Sequence, residues 1–195
     1  MTNNDIIRRV RYLFNFSDKQ VIELFKLANE TVSIEHVRGW LKKEEDPTLI
    51  EISDRDLAVF LNGLIILKRG KKEGPQPEPE DPLSNNMILK KLKIALDLTS
   101  DDMLNLYASI DKPIGKHELS AFFRNPNHRK YEQCMDQYLR NFLNALQINY
   151  KNKWGQHSTE PKDKYTGRLD TTKGLKSRIV RIDEGTYSKV HELGV

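Results

Sequence analysis

Histidine, cysteine and carboxylate are the side chains with which a protein of this size would bind metal or move protons, and their spacing here suits neither task. The five histidines, His36, His117, His128, His157 and His191, include no HxxxH pair and none stands beside a cysteine cluster, so no metal site is expected. Cys134 is the only cysteine, which rules out an internal disulfide and agrees with a reducing compartment. The acidic runs EEDP (Glu44 to Pro47) and EPED (Glu78 to Asp81) sit among turn formers and read as solvating charge. No GxxxxGK, GxGxxG, GxSxG or HExxH pattern is present, and the reading is of a protein that is not an enzyme and needs no cofactor.

Basic residues are the more informative set. Arg8, Arg9 and Arg11, and later Lys90, Lys91 and Lys93, read as the solvated outer side of a helix. The segment Ser17 to Lys43 has a helix-turn-helix rhythm, offering Arg38 and Lys42 outward, with Arg124 in the corresponding place further on. Against a polyanion-binding role stands the charge balance. Residues 1–150 hold 22 Lys+Arg and 22 Asp+Glu, and the whole net charge of +4 falls in residues 151–195, with 10 and 6. A neutral body attracts nucleic acid only through local patches.

The elements that must position these residues come from a duplication. Phe60, Leu61, Asn62 and Leu64 recur as Phe142, Leu143, Asn144 and Leu146, an offset of 142 minus 60, or 82 positions. The same register carries Asn3, Asn4 and Ile6 onto Asn85, Asn86 and Ile88, and Trp40 and Leu41 onto Phe122 and Phe123. One register kept over a whole unit marks an internal repeat. Cys134 falls on Ile52, so it reads as a small buried hydrophobe rather than a nucleophile. Between the copies, GKKEGPQPEPEDPL (Gly70 to Leu83) has four prolines and two glycines and reads as an extended linker over the surface.

Each copy shows four blocks of helical periodicity. The first helix is expected from about Asn4, with the asparagines as N-caps. The second opens at Ser17 with the capping box completed by Gln20, and its twin opens near Thr99 or Ser100. The third runs from Ser33 to Lys43, its twin from about Gly115 to Arg124. The fourth begins near Ser53 and Asp54, or near Asp136. In it Leu57, Phe60, Leu61 and Leu64 form one apolar stripe, and the matched small residues Gly63 and Ala145 predict close helix approach. Asn62 and Asn144 read as structural amides that satisfy a loop or the facing repeat.

The segments TNNDIIRRVRYLF, WLKKEEDP, SDRDLAVFLNGLI and SNNMILKKLKIAL, occurring in order and in both copies, resemble the bacterial YehS-like family, built from two copies of a small domain of unknown function. The resemblance covers about residues 1–150. It implies a small cytoplasmic bacterial protein of two related helical units, and it brings no catalytic residue or cofactor. The tail from Lys151 to Val195 departs from the pattern.

The expected architecture is therefore all-α: a first helical unit over residues 1–69, a Pro/Gly linker over 70–83, a second unit over 84–150 and a basic, disordered tail over 151–195, where RIVRID followed by GTYSKV suggests a strand and hairpin. No run is long enough to span a bilayer, and a cytoplasmic location is expected. The function expected is a non-catalytic interaction module for a protein partner, with Arg38, Lys42, Lys43 and Arg124 as charged contacts and Trp40 and Phe123 as apolar anchors. The alternative is a nucleic-acid-binding regulator in which the same basic residues and the tail touch phosphates.

Overall fold

A computed structural model describes residues 1–154. The tail from 155 onward, with the strand expected at RIVRID, lies outside the described residues. Eight helices make up the described chain: α1 (Asn3–Phe14), α2 (Asp18–Leu27), α3 (Ile34–Trp40), α4 (Asp54–Arg69), α5 (Asn85–Ala95), α6 (Ser100–Ala108), α7 (Lys116–Phe122) and α8 (Asp136–Trp154). No strand occurs among the described residues, and no helix there is long and apolar enough to cross a membrane. The protein is all-α with duplicated four-helix units, and α8 continues to Trp154, past residue 150.

Helix boundaries follow from local chemistry repeated in register. Ser17 and Thr99 each accept a bond from the backbone of the residue three on, and the side chains of Gln20 and Asp102 accept one from the backbone of Ser17 and Thr99; the sequence predicts the first box, and the second adds to it. Asn15 and Asp97 leave the first helix of each unit in the left-handed region at φ 52° and 53°, and Asn29 and Asp111 do the same after the second at 61° and 56°. Asparagine and aspartate tolerate that conformation better than other non-glycine residues.

The expected asparagine caps are not the caps. Thr2 and Ser84 cap α1 and α5, and the asparagines lie one and two residues inside. Their amides are used at long range. Asn4 Nδ2 donates to the carbonyls of Trp40 (2.9 Å) and Ile50 (2.8 Å), and its Oδ1 accepts the Ile52 N–H (3.3 Å). Asn86 repeats every bond at the same offset: to Phe122 O (2.9 Å), to Glu132 O (2.9 Å) and from Cys134 N (2.9 Å). Each buried amide thus ties its first helix to the end of the third and to the extended segment leading into the fourth. The third helices stop at Trp40 and Phe122, short of the expected Lys43 and Arg124, where those carbonyls turn to the asparagine.

The neighbouring asparagines join the units to each other. Asn3 donates to Asp54 Oδ1 (2.6 Å), and the other oxygen of Asp54 accepts the Leu83 N–H (2.9 Å), at the entry to α5. Asn85 donates to Asp136 Oδ1 (2.8 Å), and the other oxygen of Asp136 holds the Met1 ammonium, at the entry to α1. These bonds hold the Asp136 carboxyl below its usual range. Helix packing has the same reciprocity: α4 lies against α5 and α8 against α1, so the first and fourth helices of both units form a central bundle, while α2 with α3 and α6 with α7 pack outside it. Each unit offers the same surfaces to the other, the arrangement of a two-fold dimer joined into one chain.

The predicted stripe is buried, with Phe60 tilted against Phe25 of α2 and Phe142 against Tyr107 of α6. Leu57, Phe60, Leu61 and Leu64, with Leu139, Phe142, Leu143 and Leu146, are all at most 1% exposed. Gly63 marks the tightest crossing, because a Cβ there would lie 2.0 Å from the backbone oxygen of Leu24 in α2. The methyl of Ala145 at the equivalent place shows that α8 and α6 cross with more room.

Three substitutions test this account. Asn4→Ala and Asn86→Ala each strand three backbone groups, and urea denaturation should show a loss of about 3 kcal/mol from either. A loss below about 1 kcal/mol from both would remove the amides as structural ties. Gly63→Ala should lower stability by about 2 kcal/mol through overpacking, although helix propensity alone predicts a gain of about 1 kcal/mol. A stabilised variant would show that the crossing is loose.

Candidate binding face

The residues singled out in the sequence separate into three groups. Trp40 is core: it is 4% exposed, with its ring stacked on Phe25 at 5.5 Å between centroids, and it has no surface to offer a partner. Its place on the last turn of α3, beneath Asn4, explains why it faces inward. Asn62 is buried and accepts a hydrogen bond from the Lys91 ammonium, which also pairs with Glu80 at 2.8 Å. Lys91 therefore lies in the seam between units and not on the outer side of α5, as its basic neighbours suggest. Asn144, the repeat partner of Asn62, is exposed, and the position equivalent to Lys91 is Arg9. The matched amides do different work in the two units, one bridging helices and one facing solvent.

Arg38, Lys42, Lys43, Phe123 and Arg124 lie on the outer surface, where there are two equivalent grooves; Phe123 and Arg124 line the second, and Arg38, Lys42 and Lys43 line neither. Each groove runs between the first helix of a unit and the end of its third. The first, about 460 Å³, includes Arg8, Arg11, Tyr12 and Leu41, and the second, about 410 Å³, includes their counterparts Lys90, Lys93, Ile94 and Phe123, along with Arg124. Shape is shared; electrostatics is not.

In and beside the first groove four of the cations, Arg8, Arg11, Arg38 and Lys42, have a carboxylate, while Arg9, which also lines it, has none within ion-pair distance among the described residues. Arg8 pairs with Asp5 and lies 3.9 Å from Glu44, while Arg11 and Arg38 share Asp18 at 3.0 and 3.3 Å. Lys42 lies 3.6 Å from Asp46 and bonds Thr48. Lys43 is exposed. Desolvation is partial here, and the Arg8 bond and charge more than offset it, so the Asp5 carboxyl lies below its usual range.

In the second groove those carboxylates are gone. Asp5, Asp18, Glu44 and Asp46 correspond to Met87, Ser100, Pro126 and His128. The loop KEEDPT at 43–48, with one lysine and three acids, becomes NPNHRK at 125–130, with Arg129 and Lys130 and no acid. Among the described residues, Lys90, Lys93 and Arg124 have no carboxylate within ion-pair distance. The nearby acids are engaged elsewhere. Asp101 pairs with Lys116 at 3.2 Å, Asp102 accepts from the Thr99 N–H (2.8 Å), and Glu118 accepts from the Gly115 N–H (3.4 Å) and the Tyr138 hydroxyl.

Two contacts shape what is left. The Lys93 ammonium lies over the Phe123 ring, 5.9 Å from its centroid. Arg124 donates to Lys130 O (2.7 Å) and Ser120 Oγ (3.4 Å), which fixes its guanidinium plane and leaves its other N–H groups free. This second groove escaped the sequence reading because Lys90 and Lys93 look like any solvated helix face. The missing signal was the comparison of each cation's neighbours with those of its repeat partner, which the fold alone brings together.

Elsewhere the polar groups serve structure. Cys134 is fully buried, with burial pushing its thiol up to about 12, away from thiolate chemistry. Lys68 lies 4.5 Å over the Phe14 ring, and burial pushes its ammonium down to about 8. No group of three or more His, Cys, Asp or Glu is placed to hold a metal among the described residues.

Comparison with known proteins agrees with the repeat. A family model described as "Protein of unknown function (DUF1456)" matches residues 3–70 and again 85–151. The uncharacterized protein YehS of Escherichia coli strain K12 is 39% identical over 147 residues, covering 75% of this chain and 94% of YehS. No solved structure matches. Those two matched segments coincide with the two four-helix units, and the chain belongs to the DUF1456 family, carrying its domain twice.

Proposed function

We propose that this protein is a non-catalytic helical interaction module that binds a protein partner on the outer face of its second unit. The observation that carries the reading is the contrast between inside and outside. The buried polar groups Asn4 and Asn86 repeat bond for bond, and Asn62 and Lys91 are spent on joining units, so the interior is committed to holding shape. The equivalent outer grooves, by contrast, differ: Arg8 and Arg11 of the first are paired with carboxylates, and their counterparts Lys90 and Lys93 in the second are not. A structural surface has no need to shed every counter-charge, since unpaired like charges repel one another.

A nucleic-acid-binding role is the second reading, and the cations at the end of α7 and in the loop after it favour it. Two features weigh against it. The body is neutral over residues 1–150, and α7, the helix that would enter a groove, has seven residues with Glu118 among them.

A photo-crosslinking amino acid at Ile94, 43% exposed, compared with one at its repeat counterpart Tyr12, 57% exposed, tests the reading in the native host. A discrete protein adduct should form from position 94 and not from position 12, and the captured protein, once purified, should bind the full chain with one-to-one stoichiometry by calorimetry. Nucleic-acid adducts from position 94, or the same adducts from both positions, would overturn it.

A further inference from the structure

We infer that the second groove takes an acidic peptide segment, one carrying carboxylates on either side of an apolar side chain. The inference rests on the reading of this face as the partner surface and specifies the chemistry of what docks there. Three features of the groove carry it.

Charge comes first. Lys90, Lys93 and Arg124 converge on one open groove with no carboxylate among them, and the adjoining loop adds Arg129 and Lys130. The first groove is the internal reference: it has the same fold and the same kind of cations, but with Asp5, Asp18, Glu44 and Asp46 set against Arg8, Arg11, Arg38 and Lys42, leaving Arg9 unpaired. A ligand that brought carboxylates would restore to the second unit what the first supplies from its own chain. Association with such a ligand gains in rate and selectivity from complementary charge.

The second feature is the apolar floor. Ile94 is 43% exposed and Phe123 half-buried between the cations, so an aliphatic or aromatic side chain has a surface to cover. The volume of about 410 Å³ is at the small end of ligand pockets, suited to one or two side chains rather than a whole helix.

Arg124 and Lys93 supply the third, which separates peptide from nucleic acid. With its plane fixed by Lys130 O and Ser120 Oγ, Arg124 is set to pair with a planar carboxylate through two parallel bonds. Lys93 already covers a face of Phe123, so a nucleic-acid base seeking that ring as a stacking platform would have to displace the ammonium. A carboxylate at Lys93 leaves that contact in place.

The test is a titration of the isotope-labelled full chain, followed by amide NMR shifts, with three probes. One is a peptide alternating glutamate with leucine and phenylalanine, the second the same peptide with glutamine for glutamate, and the third a single-stranded DNA oligonucleotide of matched charge. The acidic peptide should shift the amides of Lys90, Lys93, Ile94, Phe123 and Arg124 and leave Arg8, Arg11 and Leu41 still. The glutamine peptide should bind at least tenfold more weakly. Lys93→Glu with Arg124→Glu should also weaken the acidic peptide at least tenfold, with Lys93→Gln and Arg124→Gln moving it in the same direction, and Lys43→Glu in the first unit should change nothing. Spectra of the free variants report whether they fold.

Equal shifts in both grooves, no shift with the acidic peptide, or tighter groove binding by the oligonucleotide would overturn the inference. A partner crosslinked at Ile94 whose binding survives Lys93→Glu with Arg124→Glu would leave the module reading intact while ending the acidic-segment assignment.

Discussion

Asn4 and Asn86 impose the constraint on which the rest of the fold rests, because each is a buried amide whose donors and acceptor are all committed to backbone groups distant in sequence. Burial makes the arrangement exacting. The Trp40 and Phe122 carbonyls and the Ile52 and Cys134 N–H groups pair with the amides in buried bonds, so the first helix, the end of the third and the approach to the fourth must meet at one place in each unit. The approach segments, around Ile50 to Ile52 and Glu132 to Cys134, have no strand partner, and the asparagine satisfies the groups that a sheet would otherwise pair. Once the three elements are fixed, the stripes of α4 and α8 pack on the second helix of their own unit, Phe60 against Phe25 and Phe142 against Tyr107, and Asp54 and Asp136 can receive the entry of the other unit's first helix.

The sequence made the frame readable where periodicity and capping chemistry are local. The stripe from Leu57 to Leu64, the box at Ser17 and Gln20, and the close approach at Gly63 all lie within a few residues of their own cause. Long-range demands were another matter. Asn4 and Asn86 resemble caps because asparagine at a helix start is so often one, and only the folded chain reveals that Thr2 and Ser84 already fill that role. Lys91 resembles a solvated lysine because Lys90 and Lys93 flank it, and its burial depends on α4 arriving from the other unit with Asn62. Trp40 resembles an anchor until the third helix is placed against α2.

The candidate face was half legible for the same reason. Arg38, Lys42, Phe123 and Arg124 do lie on the outer surface, but their meaning depends on pairing that spans Asp5 to Asp46 in one unit and is missing from Met87 to His128 in the other. Duplication is what makes the difference interpretable. Two copies under the same packing constraint keep the bonds of Asn4 and Asn86, and the loss of four carboxylates around one outer groove then points to something outside the chain. The neutral total charge of residues 1–150 conceals this, since the cations of the second groove are balanced by acids in other parts of the body.

The central claim, that the twin asparagine ties hold each unit together, is tested most directly by native-state hydrogen exchange at the Ile52 and Cys134 amides, which donate to Asn4 and Asn86. Both protons should exchange only through global unfolding, with the same denaturant dependence as amides in the centre of α4 and α8. Exchange of either one through small local openings, well below the global free energy, would contradict the claim and leave the apolar stripes as the sole support of the fold.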